Sequence, residues 1–487
     1  MATDLPPDEY TDIVVVGSGV AGLSAAVEAR LKRANVQLFE SQGTIGGASM
    51  ISAGGCCIVD TPLQRRAGIR DTVDGALSEW YALGGPTVDR AWARQYVENS
   101  KTFVYDWVEQ LGIRWTDLKQ PEGNKLPRWH QPEGWGRAVV HALLKRAHGL
   151  GVDIRTSSRV RRLLVDNNAV TGVEVEANGK VYKVTSPVVI VCTGGFASNI
   201  KQVLEWSPAL RMPRRLLGGG GIGAQGDGHA MLQQDADADL CCLDHIWLYP
   251  VGTPDPLDSS GTRGIAPRLL RGDIWLNVRG ERFHNDALTG PRIGSVALLN
   301  QPGQTAWMVF SASEIRYIQL YNNLAYFPPA SDGEDLPAKR SFWDDSTYAW
   351  RASTVEELAE NIGLPKDAVR SAIDTFNADI RAGLSHDSHF GRPLRDATPL
   401  ERNLAAIQIF PMAQKTFGGV RTDLKCRVVR RSGGCVRGLF AAGEVAGMAG
   451  GCINGRAALE GTMFGPSLYS GRVAGMAAAS HVTRSPT

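Results

Sequence analysis

Gly17-Ser18-Gly19-Val20-Ala21-Gly22 follows directly on the β-branched run Ile13-Val14-Val15-Val16, and Glu40 closes the next apolar run, Val36-Gln37-Leu38-Phe39. A strand feeding a G-x-G-x-x-G turn, then a small-residue helix and a second strand ending in an acid, is the pattern of a dinucleotide site. Gly17 permits the tight turn, Gly19 lets backbone approach a pyrophosphate, and Gly22 lets helix and strand pack closely. The N–H groups at the helix start offset the charge of a diphosphate. Glu40 can accept the ribose hydroxyls and would repel a 2′-phosphate, so FAD or NAD is expected in preference to NADP. A second apolar strand, Val188-Val189-Ile190-Val191-Cys192, runs into Gly194-Gly195 and brings Gly194 backbone toward the same cofactor.

The elements that must position this turn are legible in outline. The pattern alternates strands and helices up to about residue 205. It predicts the last turn of a helix over 107–111, a helix over 136–147, and a strand over 152–155. Antiparallel strands are expected over 160–165, 170–176 and 181–184, joined by Asp166-Asn167-Asn168 and Asn178-Gly179. After about residue 240 Trp, Tyr and Pro become frequent, and helices are expected over 354–362 and 366–383. Beyond Pro399 the nucleotide-type pattern returns in Gly438-Leu439-Phe440-Ala441-Ala442-Gly443-Glu444, before a final small-residue helix over 465–480. The fold class is therefore α/β: a Rossmann-like dinucleotide-binding domain in two segments, 1–240 and 395–487, interrupted by an α+β insertion over 241–394.

Bulk properties narrow the function. The 487 residues suffice for more than one domain, and 52 basic against 50 acidic side chains leave a formal charge of +2, which gives no reason to expect a nucleic-acid partner. No stretch is apolar for long enough to suggest a transmembrane segment, and residues 1–10 do not read as a secretory signal. Eight cysteines, with adjacent pairs at Cys56-Cys57 and Cys241-Cys242 and no C-x-x-C, argue against a disulfide scaffold and fit a reducing, cytoplasmic setting. No clustered ligand set is evident, so no metal is expected. His386 and His389 read as surface residues.

In their shared order, several further motifs resemble the flavoprotein superfamily of fumarate reductases, succinate dehydrogenase flavoprotein subunits and 3-ketosteroid dehydrogenases. They are Gly46-Gly47-Ala48-Ser49, Thr193-Gly194-Gly195-Phe196, Gly226-Asp227-Gly228-His229-Ala230, Gly280-Glu281-Arg282-Phe283-His284-Asn285-Asp286, Phe417-Gly418-Gly419-Val420, Gly443-Glu444 and Gly471-Arg472-Val473-Ala474-Gly475. The resemblance implies FAD as resident cofactor, beneath a capping domain: segments 1–240 and 395–487 would form a Rossmann-like FAD-binding domain, and the α+β insertion over 241–394 its substrate-capping domain. It implies that Gly46, Gly47 and Ser49 contact the pyrophosphate, that Asp227 and Glu444 serve the cofactor, and that Gly461, Thr462 and Met463 face the pyrimidine end of the flavin.

The resemblance is looser at the substrate. The proton-donating arginine of fumarate reductases is matched by Gly290, next to Pro291 and Arg292. A family histidine is matched by Lys415, and a substrate-clamping arginine falls near Ala458, two residues from Arg456. Only His245 matches, so ordinary fumarate chemistry is not expected. The tyrosine of 3-ketosteroid dehydrogenases is replaced by Leu404-Ala405-Ala406, while the Gly461-Thr462 and Gly465-Pro466 elements look closer to that branch. The expected activity is dehydrogenation or reduction of a carbon–carbon bond conjugated to a carbonyl in a cyclic substrate, steroid-like or an aromatic natural product. Electrons would be exchanged with an external donor or acceptor. Tyr249, Lys415, His245 and Arg292 are the catalytic candidates, although Tyr249 is equally well read as aromatic core and His245 as a structural hydrogen-bonder. Asn454, Arg456 and Cys452 are the substrate-binding candidates. Two other readings stay open: an enzyme of small carboxylates, and a non-catalytic flavin-bound electron-transfer or interaction protein.

Overall fold

The computed structural model describes residues 9–482, apart from 122, 212–214, 269, 271, 327–336 and 458. The chain divides into two compact units. The first comprises residues up to Ser207, Gly220–Trp247 and Lys415 onward; the second comprises Pro208–Gly219 and Leu248–Gln414.

The first unit is built on a parallel sheet in the order Cys435–Ala441, Val189–Val191, Ile13–Val16, Val36–Phe39, Asp153–Arg155. All four residues of Ile13–Val16 are buried, as a strand covered on both faces requires. The register sets Val16 beside both Val191 and Phe39, so three strand ends come level at one edge. Open α/β sheets bind ligands at such carboxyl ends. The predicted antiparallel strands form as Ser158–Asp166, Ala169–Ala177 and Lys180–Thr185 and extend the same sheet. Their turns hold Asn167, Asn168, Asn178 and Gly179 at positive φ, the conformation that matches strand twist in a two-residue hairpin.

Helix Val20–Leu31 lies against helix Phe464–Val482. A Cβ on Gly471 or Gly475 would stand 2.3 Å from the carbonyl oxygens of Ala21 and Ala25, so the two backbones touch because neither side carries bulk.

The second unit is a mixed sheet in the order Ile274–Leu276, Ala306–Ser311, Leu404–Thr416, Ile246–Pro254, Gly264–Arg268, Gln319–Tyr321, with Leu217–Gly218 and Ala349–Ala352 also paired to the long strand. Ala405, Ile407 and Ile409 enter one core with Phe310 and Phe342. Leu404 and Ala406 enter another with the apolar faces of helices Val355–Asn361 and Lys366–Arg381. This period of two is that of a sheet buried on both faces.

The boundaries between units differ from those expected. They fall at 247/248 and 414/415, and Pro208–Gly219 belongs to the second unit. The cause is the strand Leu404–Thr416, central to the second sheet, which takes Leu217 beside Met412. That pairing is long-range and leaves no local signature.

Candidate functional site

The glycine turn takes the geometry its residues call for. Gly17 has φ +102°, and a Cβ there would stand 2.4 Å from the Cys192 carbonyl oxygen. Gly19 is the N-cap of helix Val20–Leu31, and a Cβ on Gly22 would meet the Gly17 carbonyl oxygen at 1.9 Å. Buried Glu40 accepts from the Ser18 N–H at 3.0 Å and the Gln42 N–H at 2.9 Å, which fixes its carboxylate beside the turn. The 46–49 segment is tied to the same place: the Gly46 N–H donates to Ser18 Oγ at 2.9 Å, and the Val20 N–H donates to Ser49 Oγ at 3.2 Å.

Gly47 and Gly194 both have positive φ with open space where a Cβ would stand. Buried Thr193 Oγ1 has no partner among the described residues. Bare backbone and an orphaned hydroxyl at the strand ends fit a bound dinucleotide.

Glu444 lies deeper. It accepts from the Thr416 N–H at 2.9 Å and from Thr416 Oγ1 at 3.1 Å, and Gly195 is crowded against it, with a Cβ there only 2.4 Å from Oε1. Burial pushes its carboxyl up; the Thr416 hydrogen bonds and the charge of Lys415 pull the other way. Lys415 thus lies close enough for its charge to act on Glu444.

Thr462, Met463 and Asn454 are buried together. Asn454 Nδ2 donates to the Thr462 carbonyl at 2.9 Å, while its Oδ1 finds no partner among the described residues. The Gly461 carbonyl accepts from the Cys57 N–H at 2.9 Å. Behind this loop Arg128 grips Asp71 with two donors, at 2.8 and 2.9 Å, and Glu79 at 2.7 Å, all three side chains being buried. This brace was missed in the sequence because nothing local marks a buried arginine. Asp227 begins helix Asp227–Ala236, where its carboxylate pairs with Arg159. The position near Ala458 lies outside the described residues.

Cys242, His245 and Cys452 converge, with their ligand-type atoms all within 4.8 Å of one another. Cys452 Sγ lies 3.4 Å from His245 Nδ1. Hydrogen bonds from Cys241 first, then Cys452 and His245, hold the Cys242 thiol well below its ordinary range, while Cys452 is pushed up by its bond to Cys242 and by burial. The absence of clustered ligands expected from sequence is thus not what the fold presents. The signal was there as Cys242-Leu-Asp-His245, a C-x-x-H; only the distant Cys452 was invisible. On the other side of the imidazole, Asp244 Oδ1 stands 3.8 Å from His245 Nε2, and Asp244 Oδ2 pairs with Arg456 Nη2 at 2.6 Å.

In the second unit, Tyr249 packs on the aromatic core with the Arg268 guanidinium 4.6 Å over its ring. Arg268 thus makes a cation–π contact with this ring, a neighbour that sequence reasoning had not found. Arg292 carries a buried Nη1 with no acceptor among the described residues. His284 is wedged against Trp275 at 4.8 Å, and burial pushes it down to about 4.

Comparison with known proteins agrees with this geometry. Residues 12–462 match the model of the FAD binding domain family. The chain belongs to that family. It is 29% identical over 482 residues to a probable fumarate reductase of Shewanella frigidimarina, covering 98% of this chain and 76% of that protein. It is also 29% identical over 551 residues to a KsdD-like steroid dehydrogenase of Mycobacterium tuberculosis, covering 97% and 96%. Among solved structures, the open conformation of a flavocytochrome c3 fumarate reductase superposes with a TM-score of 0.77 at 28% identity, covering 98% of this chain and 79% of that one. The 3-ketosteroid-Δ4-(5α)-dehydrogenase of Rhodococcus jostii RHA1 superposes at 0.68 and 26%, covering 97% of each chain. The protein is an FAD-dependent oxidoreductase of the fumarate reductase and ketosteroid dehydrogenase family, acting on carbon–carbon bonds. No described helix is long and apolar enough to cross a membrane.

Proposed function

We propose that the protein dehydrogenates or reduces a carbon–carbon bond conjugated to a carbonyl in a neutral, cyclic substrate. The observation that carries this reading is Asp244. It pairs with Arg456 at 2.6 Å and stands 3.8 Å from His245, so a carboxylate of the chain itself sits against the two groups best suited to clamp an anionic substrate. A free carboxylate arriving there would meet a like charge. The full-length match to a KsdD-like steroid dehydrogenase supports the same class.

When bound, FAD supplies the two-electron chemistry. Glu40, with Gly17, Gly19 and Gly22 and the 46–49 segment, holds the ribose and diphosphate; Glu444 and the Gly461 loop hold the flavin end. In the first unit, Lys415 and Asn454 are proposed to bind substrate oxygen. In the second, Tyr249 with Arg268 is proposed to move the proton and Arg292 to polarise the carbonyl. Unpaired thiols support a cytoplasmic setting.

The test is a steady-state panel pairing cyclic enones and saturated ketones with unsaturated carboxylates and their esters. Bleaching or reoxidation of the flavin by neutral ketones, with esters at least matching the free acids, is the expected result. A strict requirement for a free carboxylate overturns it. That second reading has its own support in Arg292 Nη1, which finds no acceptor among the described residues and would donate to a carboxylate, and in the similarity to a fumarate reductase.

A further inference from the structure

We propose that Cys242, His245 and Cys452 form a binding site for one thiophilic divalent cation of the Zn2+ type. Tetrahedral Zn2+ with sulfur at about 2.3 Å and nitrogen at about 2.0 Å has ligand-to-ligand edges of about 3.5–3.8 Å. The Cys452 Sγ to His245 Nδ1 edge is 3.4 Å, and all three donors lie within 4.8 Å of one another, so small side-chain rotations complete the triangle.

The backbone fixes each ligand. The His245 N–H donates to the Cys242 carbonyl at 2.9 Å, closing the C-x-x-H turn. Cys242 itself sits at φ +55°, a left-handed conformation uncommon for a non-glycine residue. The His245 carbonyl accepts from the Phe417 N–H at 2.8 Å, and the Cys452 carbonyl accepts from the Asp89 N–H at 3.0 Å.

Chemistry and charge agree. Two thiolates and a neutral imidazole balance a divalent cation, which suits a place where His245 and Cys452 are buried. Cys242 is only partly buried and leaves a way in. Asp244 Oδ1 stands 3.8 Å from Nε2, on the opposite side of the ring from the thiols, so an acidic group faces Nε2 while Nδ1 faces Cys452. Three protein donors leave a fourth position for water or another oxygen ligand, the coordination of an open site and not of a closed structural one.

The experiment uses the full, FAD-loaded protein, reduced and stripped with a chelator. Titration with Zn2+ should bind one equivalent, and Co2+ should give the intense visible bands of a tetrahedral thiolate site. These lie to the red of flavin absorption. Cys242→Ser and Cys452→Ser should each weaken Zn2+ binding by about 100-fold or more, with Cys435→Ser unchanged. Retained FAD and circular dichroism report whether each variant folds. X-ray absorption of the Zn2+-loaded wild-type protein, independent of any variant, should find two sulfurs and one nitrogen. An oxygen-and-nitrogen shell, octahedral Co2+, binding unchanged in Cys242→Ser, or a Cys242–Cys452 or Cys241–Cys242 disulfide as the resting state in air would each overturn the proposal.

Discussion

The cofactor face and the thiol–imidazole corner lie in the same unit but are made of different material. The face is main chain: Gly17, Gly22, Gly47, Gly194 and Gly195 present bare backbone because a Cβ would clash or fill the space a ligand needs. The corner is side chain: Cys242, His245 and Cys452 meet although Cys452 is 207 residues beyond His245. Main-chain sites are intolerant of a single methyl and are written contiguously. Side-chain sites lose binding but not the fold when one ligand is replaced, and they depend on the whole fold to assemble.

The largest effect is expected at the face. Gly17→Ala adds left-handed strain of about 1–2 kcal/mol and overpacking against Cys192 of about 1–3 kcal/mol. The expected result is protein purified without yellow colour, read from the flavin to protein absorbance ratio. Full FAD retention would break the distinction.

Beside the face, fully buried His229 packs on Phe196 and Trp206, and its pKa is pushed down by burial to about 4. Below pH 6.5 the unfolded chain takes up a proton that the folded chain refuses until about pH 4. Stability therefore falls with pH across that window, by about 3 kcal/mol when both values have been passed. His229→Leu should flatten the acid limb of melting temperature against pH and leave the values near pH 8 little changed. An unchanged acid limb would mean that His229 accepts its proton in the folded state.

At the corner, Asp244→Asn removes the internal carboxylate facing Arg456 and His245. Relative kcat/KM for unsaturated carboxylates over neutral enones should rise by about 10-fold, the scale of one close charge repulsion. No change in the ratio would separate Asp244 from substrate choice. The smallest effect is expected at Cys435, half-buried and outside the cluster: Cys435→Ser should shift stability by no more than about 0.5 kcal/mol, measured by denaturant unfolding.

What the sequence disclosed follows the same divide. Gly17 to Gly22 and Glu40 were readable because turn, helix and acid are neighbours in the chain, and the hairpins were readable because Asn167-Asn168 and Asn178-Gly179 carry their own turn chemistry. The brace of Arg128 on Asp71 and Glu79 was not, since its partners lie 57 and 49 residues away and any one alone reads as a surface charge. Arg268 over Tyr249 escaped for a related reason: it comes from a separate strand, Gly264–Arg268, of the same sheet. Pro208–Gly219 joined the second unit through a pairing with residues nearly two hundred positions later.

The seam of Gly471 and Gly475 on Ala21 and Ala25 bears on how the molecule comes into being. During synthesis, helix Val20–Leu31 cannot bury that flank until residues 464–482, more than four hundred positions further on, have been made. The nucleotide turn at its head therefore stays unfinished until the intervening second unit has been synthesised, and loading of the flavin follows that point.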